Sequence, residues 1–235
     1  MQTSLITVII PTFDRELRML GAAVESVLAQ DVRSLEVIVV DDGSATSAAK
    51  VVETYGDPVR FHEKQHGGIG SARNAGVALS RGDLLAFLDS DDLWEPDKLA
   101  LQVEALRSDP GLEAVFGQAE QFYDAEVDDA FKLSHPIKER IVDSWLSSAM
   151  LIRREAFERI GNFGEDRSSS PDVDWFLRAK EDALRVAMLP RVVYRRRIHR
   201  TNINVTQPAR ENRARLLALK RSLDRRRADE GRVEH

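Results

Sequence analysis

Leu84-Leu85-Ala86-Phe87-Leu88 runs directly into Asp89-Ser90-Asp91-Asp92. A short, unbroken apolar run reads as a strand buried on both faces, and the acidic residues mark its abrupt exit from the core. The same form occurs twice upstream. Residues 5–10, Leu-Ile-Thr-Val-Ile-Ile, end at Pro11-Thr12-Phe13-Asp14, and the apolar run 36–40 ends at Asp41-Asp42-Gly43-Ser44. Residues 17–29 carry Leu20, Ala23, Val24, Val27 and Leu28 at helical spacing, 45–55 read as a second helix, and 59–62 as a short strand. The segment 67–80 begins glycine-rich and turns helical around Ala75, Val77, Ala78 and Leu79. Strands alternating with helices predict an α/β fold: a mostly parallel central sheet with helices on both faces. Ligands in such sheets sit beyond the carboxyl ends of the strands, so the three polar clusters should converge on one crevice.

The second half is less regular. Pro96 opens a helix to residue 107, since proline suits the first helical turn. Strands are expected at 114–116, 148–152, 186–189 and 192–194, and a helix at 153–160 ended by Gly161. Ser170-Pro171 opens a further helix with Trp175, Phe176 and Ala179 on its apolar side.

Composition narrows the chemistry. The 235 residues include no cysteine, which excludes disulfides and thiolate metal sites; any metal would be a hard, oxygen-liking cation such as Mg²⁺ or Mn²⁺. The net charge of −5 gives no reason to expect a nucleic-acid partner. It hides a polarity, because residues 190–235 hold 14 Lys and Arg against 5 Asp and Glu. Within that tail Leu216, Leu217, Leu219 and Leu223 are interleaved with Arg213, Arg215, Lys220, Arg221 and Arg225. Such a helix could lie on an anionic membrane, pack on the domain, or meet a second subunit in a homo-oligomer. The first residues are apolar over too short a stretch for a signal peptide, so the expected location is cytoplasmic, at the inner membrane face if the tail binds lipid.

Asp89 and Asp91 stand two apart at the end of a buried strand, where one carboxylate can hold a divalent cation and the other a sugar hydroxyl. A turn or helix cap would use the same residue types. The run Gly67-Gly68-Ile69-Gly70-Ser71-Ala72-Arg73 lacks the third glycine of a dinucleotide-binding loop, its place being taken by Arg73. It reads instead as a glycine-rich entry to a helix, with Arg73 able to reach a phosphate or a sugar. The chain has no phosphate-binding loop of the Gly-x-x-x-x-Gly-Lys-Ser/Thr type.

Val8-Ile9-Ile10-Pro11-Thr12-Phe13-Asp14-Arg15, Val39-Val40-Asp41-Asp42-Gly43-Ser44, the Gly67–Gly76 loop and Phe87-Leu88-Asp89-Ser90-Asp91-Asp92 together resemble glycosyltransferase family 2. Gly161-Asn162-Phe163, the stretch from Asp172 to Arg178, and Tyr194 to Asn202 extend the resemblance over residues 4–202. It implies a single GT-A domain over 1–202, with a nucleotide-sugar half to about residue 95 and an acceptor half over 96–202, followed by a basic helical tail over 203–235. It implies an inverting transfer from a nucleotide-sugar donor, most commonly UDP-linked, to a carbohydrate, lipid-linked or other hydroxyl acceptor. Pro11 and Phe13 would line the base pocket, with Thr12 between them in the same nucleotide-sugar-binding set. Asp41 would accept from the base, Arg73 would hold the nucleoside or its phosphates, Asp89 the ribose, and Asp91 the cation, which His199 would meet when its loop closes.

The family usually has Glu-Asp, an aromatic residue and Asp here; this chain has Pro171-Asp172-Val173-Asp174, so the first acidic residue and the aromatic are missing. Asp172 aligns with the base, and its place in the first helical turn favours the ionised form. Asp174 is the runner-up. Two other readings stay open: a non-catalytic nucleotide-sugar-binding module, and a sugar-1-phosphate nucleotidyltransferase. The latter would want its glycine-rich loop directly after the first strand, where this chain has Pro11-Thr12-Phe13-Asp14-Arg15.

Overall fold

The computed structural model describes residues 4–14 and 17–233; Arg15 of the first motif and the last two residues of the expected tail lie outside them. Strands β1 (Ile6–Thr12), β2 (Leu35–Asp41), β3 (Val59–Glu63) and β4 (Leu84–Phe87) are joined by helices α1 (Leu17–Leu28), α2 (Ala49–Val52) and α3 (Ile69–Leu79). These strands pair in the spatial order 3-2-1-4, every pairing parallel. Every residue of β1 and of β4 is buried, so the sheet must be covered on both faces. The chain steps outward from β1 to β3 and then returns to β4 on the other side of β1. Right-handed crossovers place α3 on the face opposite α1 and α2. The reversal leaves a switch point at the carboxyl ends of β1 and β4, where a ligand crevice belongs.

Beyond β4 come β5 (Leu93–Trp94), α4 (Lys98–Ser108), β6 (Ala114–Tyr123), α5 (Asp129–Ser134), β7 (Ile141–Ser144), β8 (Leu151–Arg153), α6 (Arg154–Ile160), α7 (Pro171–Glu181), β9 (Val186–Ile198), α8 (Ile203–Thr206) and α9 (Pro208–Val233). Among the described residues nine strands form one sheet, ordered 3-2-1-4-8-6-9-5 with β7 on the side of β6. The β6–β9 pair is parallel, whereas β4–β8, β6–β8, β6–β7 and β5–β9 are antiparallel. The sheet is therefore parallel through β4 and mixed beyond it.

Several sequence expectations change in detail. The helix expected over 45–55 contracts to Ala49–Val52, because the Asp41 carboxylate accepts the N–H groups of Ser44 at 2.9 Å and Ala48 at 2.8 Å and holds that segment as a loop. The two strands expected at 186–189 and 192–194 are one, β9. Pro190 and Arg191 fall where the register against β6 shifts between Gly117 and Gln118, so the missing proline N–H costs no ladder bond. The strand expected over 148–152 begins as a 3-10 turn, Ser147–Ala149, and becomes β8 only at Leu151. β5, β7 and α5 are two to six residues long, too short to carry a periodic signal.

The basic tail helix α9 lies along α7. Ala214, Ala218 and Ser222, four apart, form its buried face. Ser222 and Arg225 bond to Glu181, and Arg221 pairs with Asp166. Leu216, Leu219 and Leu223 remain exposed on the other side. No helix among the described residues is long and apolar enough to cross a membrane.

Candidate active site

Side chains alternate along a strand, so the two aspartates that close β2 point opposite ways. Asp41 is fully buried, with both oxygens committed to the backbone N–H groups of Ser44 and Ala48. It organises the loop from inside, and its neighbour, also buried, turns to the 64–68 loop. Asp42 accepts the Gly67 N–H at 2.9 Å, the Lys64 ammonium at 3.0 Å and the Gly68 N–H at 2.7 Å, and lies 2.9 Å from His66 Nδ1. These bonds fasten the 64–68 loop beside β2. Gly68 holds φ at +92°, a conformation glycine adopts without a side-chain penalty. Phe13 is 36% exposed and stacks on the His66 ring at 4.3 Å. Pro11 and Thr12 are buried within β1. Gly43, Ser44, Lys64, Gln65 and His66 line an open depression of about 600 Å³. A flat aromatic pair beside exposed backbone suits a planar ring.

Arg73 is the centre of the site. It comes from the first turns of α3 and is fully buried, with its guanidinium 5.2 Å above the Phe163 ring. One nitrogen donates to Asp89 at 2.7 Å and another to Asp172 at 3.0 Å. The next residue, Asn74, clamps Phe163 in place by bonding both its carbonyl and its N–H, at 2.9 and 3.0 Å. Burial alone would push the Arg73 proton off, but the two carboxylates outweigh it and hold the guanidinium charged. The structure thus joins residues 16 and 99 positions away through one cation.

The acidic cluster after β4 closes the crevice. Asp89, Asp91 and Asp92 each place one carboxylate oxygen within 4.8 Å of the others. Asp91 meets His199 Nε2 at 2.9 Å and accepts from Asn202 at 3.3 Å. Asn202 also accepts the His199 N–H at 2.6 Å, so the 199–202 turn folds back over Asp91. The two residues expected at the metal are therefore side by side, though 108 positions apart in sequence. Asp92 accepts the Arg197 N–H at 2.8 Å and lies deeper. Burial pushes the Asp89 carboxyl up, and Arg73 offsets only part of that. An all-oxygen donor set with an imidazole at its edge fits a hard divalent cation.

The two candidate bases separate clearly. Asp172 accepts from Arg73 and, through its other oxygen, from the Ser147 N–H at 3.1 Å. Burial works to raise its carboxyl, yet the Arg73 charge and the bonds from Ser147 hold it below the usual carboxylate range. It is ionised at neutral pH and its carboxylate faces the acidic crevice across Arg73. Asp174 is instead paired with Arg178 at 3.1 Å and Arg225 at 3.4 Å, within and behind α7. It fastens α7 to α9.

Sequence reasoning missed Asp42, Lys64, His66, Asn74 and Asn202 as site residues. Asp42 and Asn202 lay within quoted motifs, and alternation along β2 was the available signal for Asp42. Lys64 and His66 precede the glycine loop, where no spacing announces them.

Glycosyl transferase family 2 is the family whose model matches this chain, over residues 7–161. An uncharacterized glycosyltransferase of Rickettsia typhi is 29% identical over 184 residues, 73% of this chain and 58% of the relative. The chondroitin synthase of Escherichia coli is 27% identical over 86% of this chain and 30% of its own length. The chain thus spans less than two thirds of these relatives' own lengths. Residues 1–349 of S. aureus TarS, solved with UDP-GlcNAc, superpose with a TM-score of 0.68 at 21% identity, covering 84% of this chain and 60% of that one. The mannosyltransferase PcManGT of Pyrobaculum calidifontis, solved with GDP-Man and Mn²⁺, gives 0.64 at 23% identity over 86% of this chain and 59% of that one. These likenesses establish the GT-A fold.

Proposed function

The chain belongs to glycosyltransferase family 2, and from that premise we propose that it moves a sugar from a nucleoside-diphosphate donor, UDP-linked as first choice, to an acceptor hydroxyl with inversion. The observation that carries this reading is the pair of hydrogen bonds that Arg73 donates, one to Asp89 and one to Asp172. It sets a donor-side carboxylate and a candidate base on opposite sides of one fixed cation. The Phe13–His66 stack would take the base of the nucleotide, with the Asp42-held glycine loop beneath it. Asp89 would hold the ribose. Asp91 and His199 would hold Mn²⁺ or Mg²⁺, with Asp89 and Asp92 close by. A bound divalent cation supplies neutralisation of the charge that develops on a leaving diphosphate. Asp172 takes the proton of the acceptor hydroxyl as the new glycosidic bond forms and the bond to the diphosphate breaks. The likeness to proteins solved with UDP-GlcNAc and with GDP-Man and Mn²⁺ supports a nucleotide-sugar donor and a cation.

We further propose that α9 rests on an anionic membrane surface, because Arg213, Lys220 and Arg227 border its exposed leucine stripe.

Thermal melting with UDP, GDP and dTDP, each with and without Mn²⁺, tests the donor reading. Binding to the native state raises the melting temperature, with the logarithm of ligand concentration over Kd. UDP with Mn²⁺ should give the largest rise, and Asp91→Ala should remove the Mn²⁺-dependent part. No rise with any nucleotide, or an unchanged Mn²⁺ effect in the Asp91 variant, would overturn it.

A further inference from the structure

Asp172 borders a second space, unlike the crevice. Val173, Phe176 and Leu177 project from α7 at helical spacing toward Phe116 of β6 and toward Trp145 and Leu146, which follow β7. They line a cleft of about 540 Å³, within the range of small-molecule sites, with Asp172 and Lys180 as its charged members.

The cleft is not finished core. Trp94 and Trp175 are 4% and 0% exposed, whereas Trp145 at its wall is 49% exposed and packs against Phe116 at 5.3 Å. Val173, Phe176 and Leu177 are likewise only partly buried. Leaving this much aromatic and aliphatic surface beside water is unfavourable unless something covers it. A free sugar is a poor occupant, because most of its hydroxyls would be buried against apolar side chains, with few partners besides Asp172 and Lys180. The apolar wall and the carboxylate belong to one construction: Leu146 lines the cleft, and the next residue, Ser147, donates its N–H to Asp172. An occupant is thus apolar along its body and polar where it reaches Asp172.

We infer that this cleft is an aglycone subsite, which takes the alkyl, isoprenoid or aromatic body of an amphiphilic acceptor while its hydroxyl is presented to Asp172. The inference rests on the proposed role of Asp172 and narrows the acceptor to a hydroxyl compound with an apolar group close to that hydroxyl. A flat interface between two copies would have no use for a cleft that ends on an ionised carboxylate.

Calorimetric titration of the protein with n-alkyl β-glucosides of increasing chain length, below their micelle concentrations and with UDP and Mn²⁺ present, tests it. Affinity should rise by up to about fourfold per methylene until the cleft is filled, then level off. Emission from Trp145, the exposed member of the three tryptophans, should shift to the blue as the chain binds. Leu177→Glu, on the partly exposed side of α7, should abolish the chain-length dependence while UDP affinity stays unchanged, and Val173→Ser should lessen it. Glucose and octyl glucoside binding equally would overturn the inference. So would sedimentation showing a wild-type dimer that Leu177→Glu dissociates, with no alkyl glucoside bound by either form. A chain-length dependence without any UDP binding would instead sink the donor reading and leave the apolar subsite standing.

Discussion

The four parallel strands up to β4 and the mixed strands beyond it supply the same crevice by different means. In the first half, apart from Arg73 and Asn74 on α3, the candidate groups stand at or just past strand ends: Phe13 after β1, Asp42 after β2, Asp89 and Asp91 after β4. Each is placed by its own strand. In the second half Asp172 sits on a helix, His199 and Asn202 in a turn, and Trp145 in a loop. None is placed by local pattern. Asp172 depends on Arg73 and Ser147, and His199 on Asp91, contacts that cross from one half to the other or between distant segments of the second. The first half thus builds its share of the crevice mainly at strand ends, and the second half builds its share by assembly.

The contrast is sharpest at Asp172, the proposed base. Asp172→Asn should keep the fold and UDP binding while turnover falls by roughly two to four orders of magnitude, the usual worth of a positioned proton acceptor. Asp174→Asn should spare most turnover and lower stability, since it loosens the pairs with Arg178 and Arg225. Asp172→Asn also removes one of the two carboxylates on buried Arg73, so steady-state kinetics and not urea unfolding separates the two, and the reverse ranking of turnover would move the base to Asp174.

The bridge between the halves can be cut directly. Arg73→Ala leaves Asp89 and Asp172 facing each other without their cation. A stability loss of about 3–5 kcal/mol is expected, as when one partner of a buried ion pair is removed. Denaturant melting should still show one transition. Two transitions would mean that the halves stand independently and that the bridge serves chemistry alone.

A third test works at the opposite end of the sheet. Glu36 lies in β2 and accepts from the Thr7 hydroxyl of β1 at 2.7 Å, from Arg60 of β3 at 2.7 Å, and from Arg81 before β4. Burial would raise its carboxyl, but the Arg81 N–H, Thr7 and the two guanidinium groups hold it down at about 2. A depressed carboxylate stabilises the fold fully above its unfolded value near 4.5 and loses that contribution as pH falls toward 2. Stability should drop by about 3 kcal/mol across that window, and Glu36→Gln should flatten the drop while leaving UDP affinity intact. An unchanged pH profile in the variant would show that other carboxylates govern the acid limb.

The smallest effect concerns α9. The wild-type protein should pellet with vesicles containing phosphatidylserine, less so as salt rises, and Leu219→Glu should weaken partition by about tenfold. Equal pelleting with neutral vesicles, or none at low salt, would leave α9 as a strut behind α7.

Local pattern was enough for the strands of the first half and the clusters that end them, because a strand buried on both faces must be continuously apolar and must leave the core abruptly. That logic carried β1, β2 and β4, the acidic run at Asp89 to Asp92, and the glycine entry to α3. The resemblance to glycosyltransferase family 2, and not that logic, singled out Asp172, Asp91 and His199 as candidates. Only the tertiary structure decided that Asp42 reaches the glycine loop while Asp41 stays inside. Adjacent residues on a strand face opposite ways, and a one-residue register is invisible without the partner strands. Only it made Arg73 a bridge instead of an open phosphate ligand, since a guanidinium finds its carboxylates through space and not along the chain. The apolar cleft beside Asp172 is the furthest from local pattern. Phe116, Trp145 and Phe176 come from a strand, a loop and a helix, and their convergence exists only once β6 and α7 have packed.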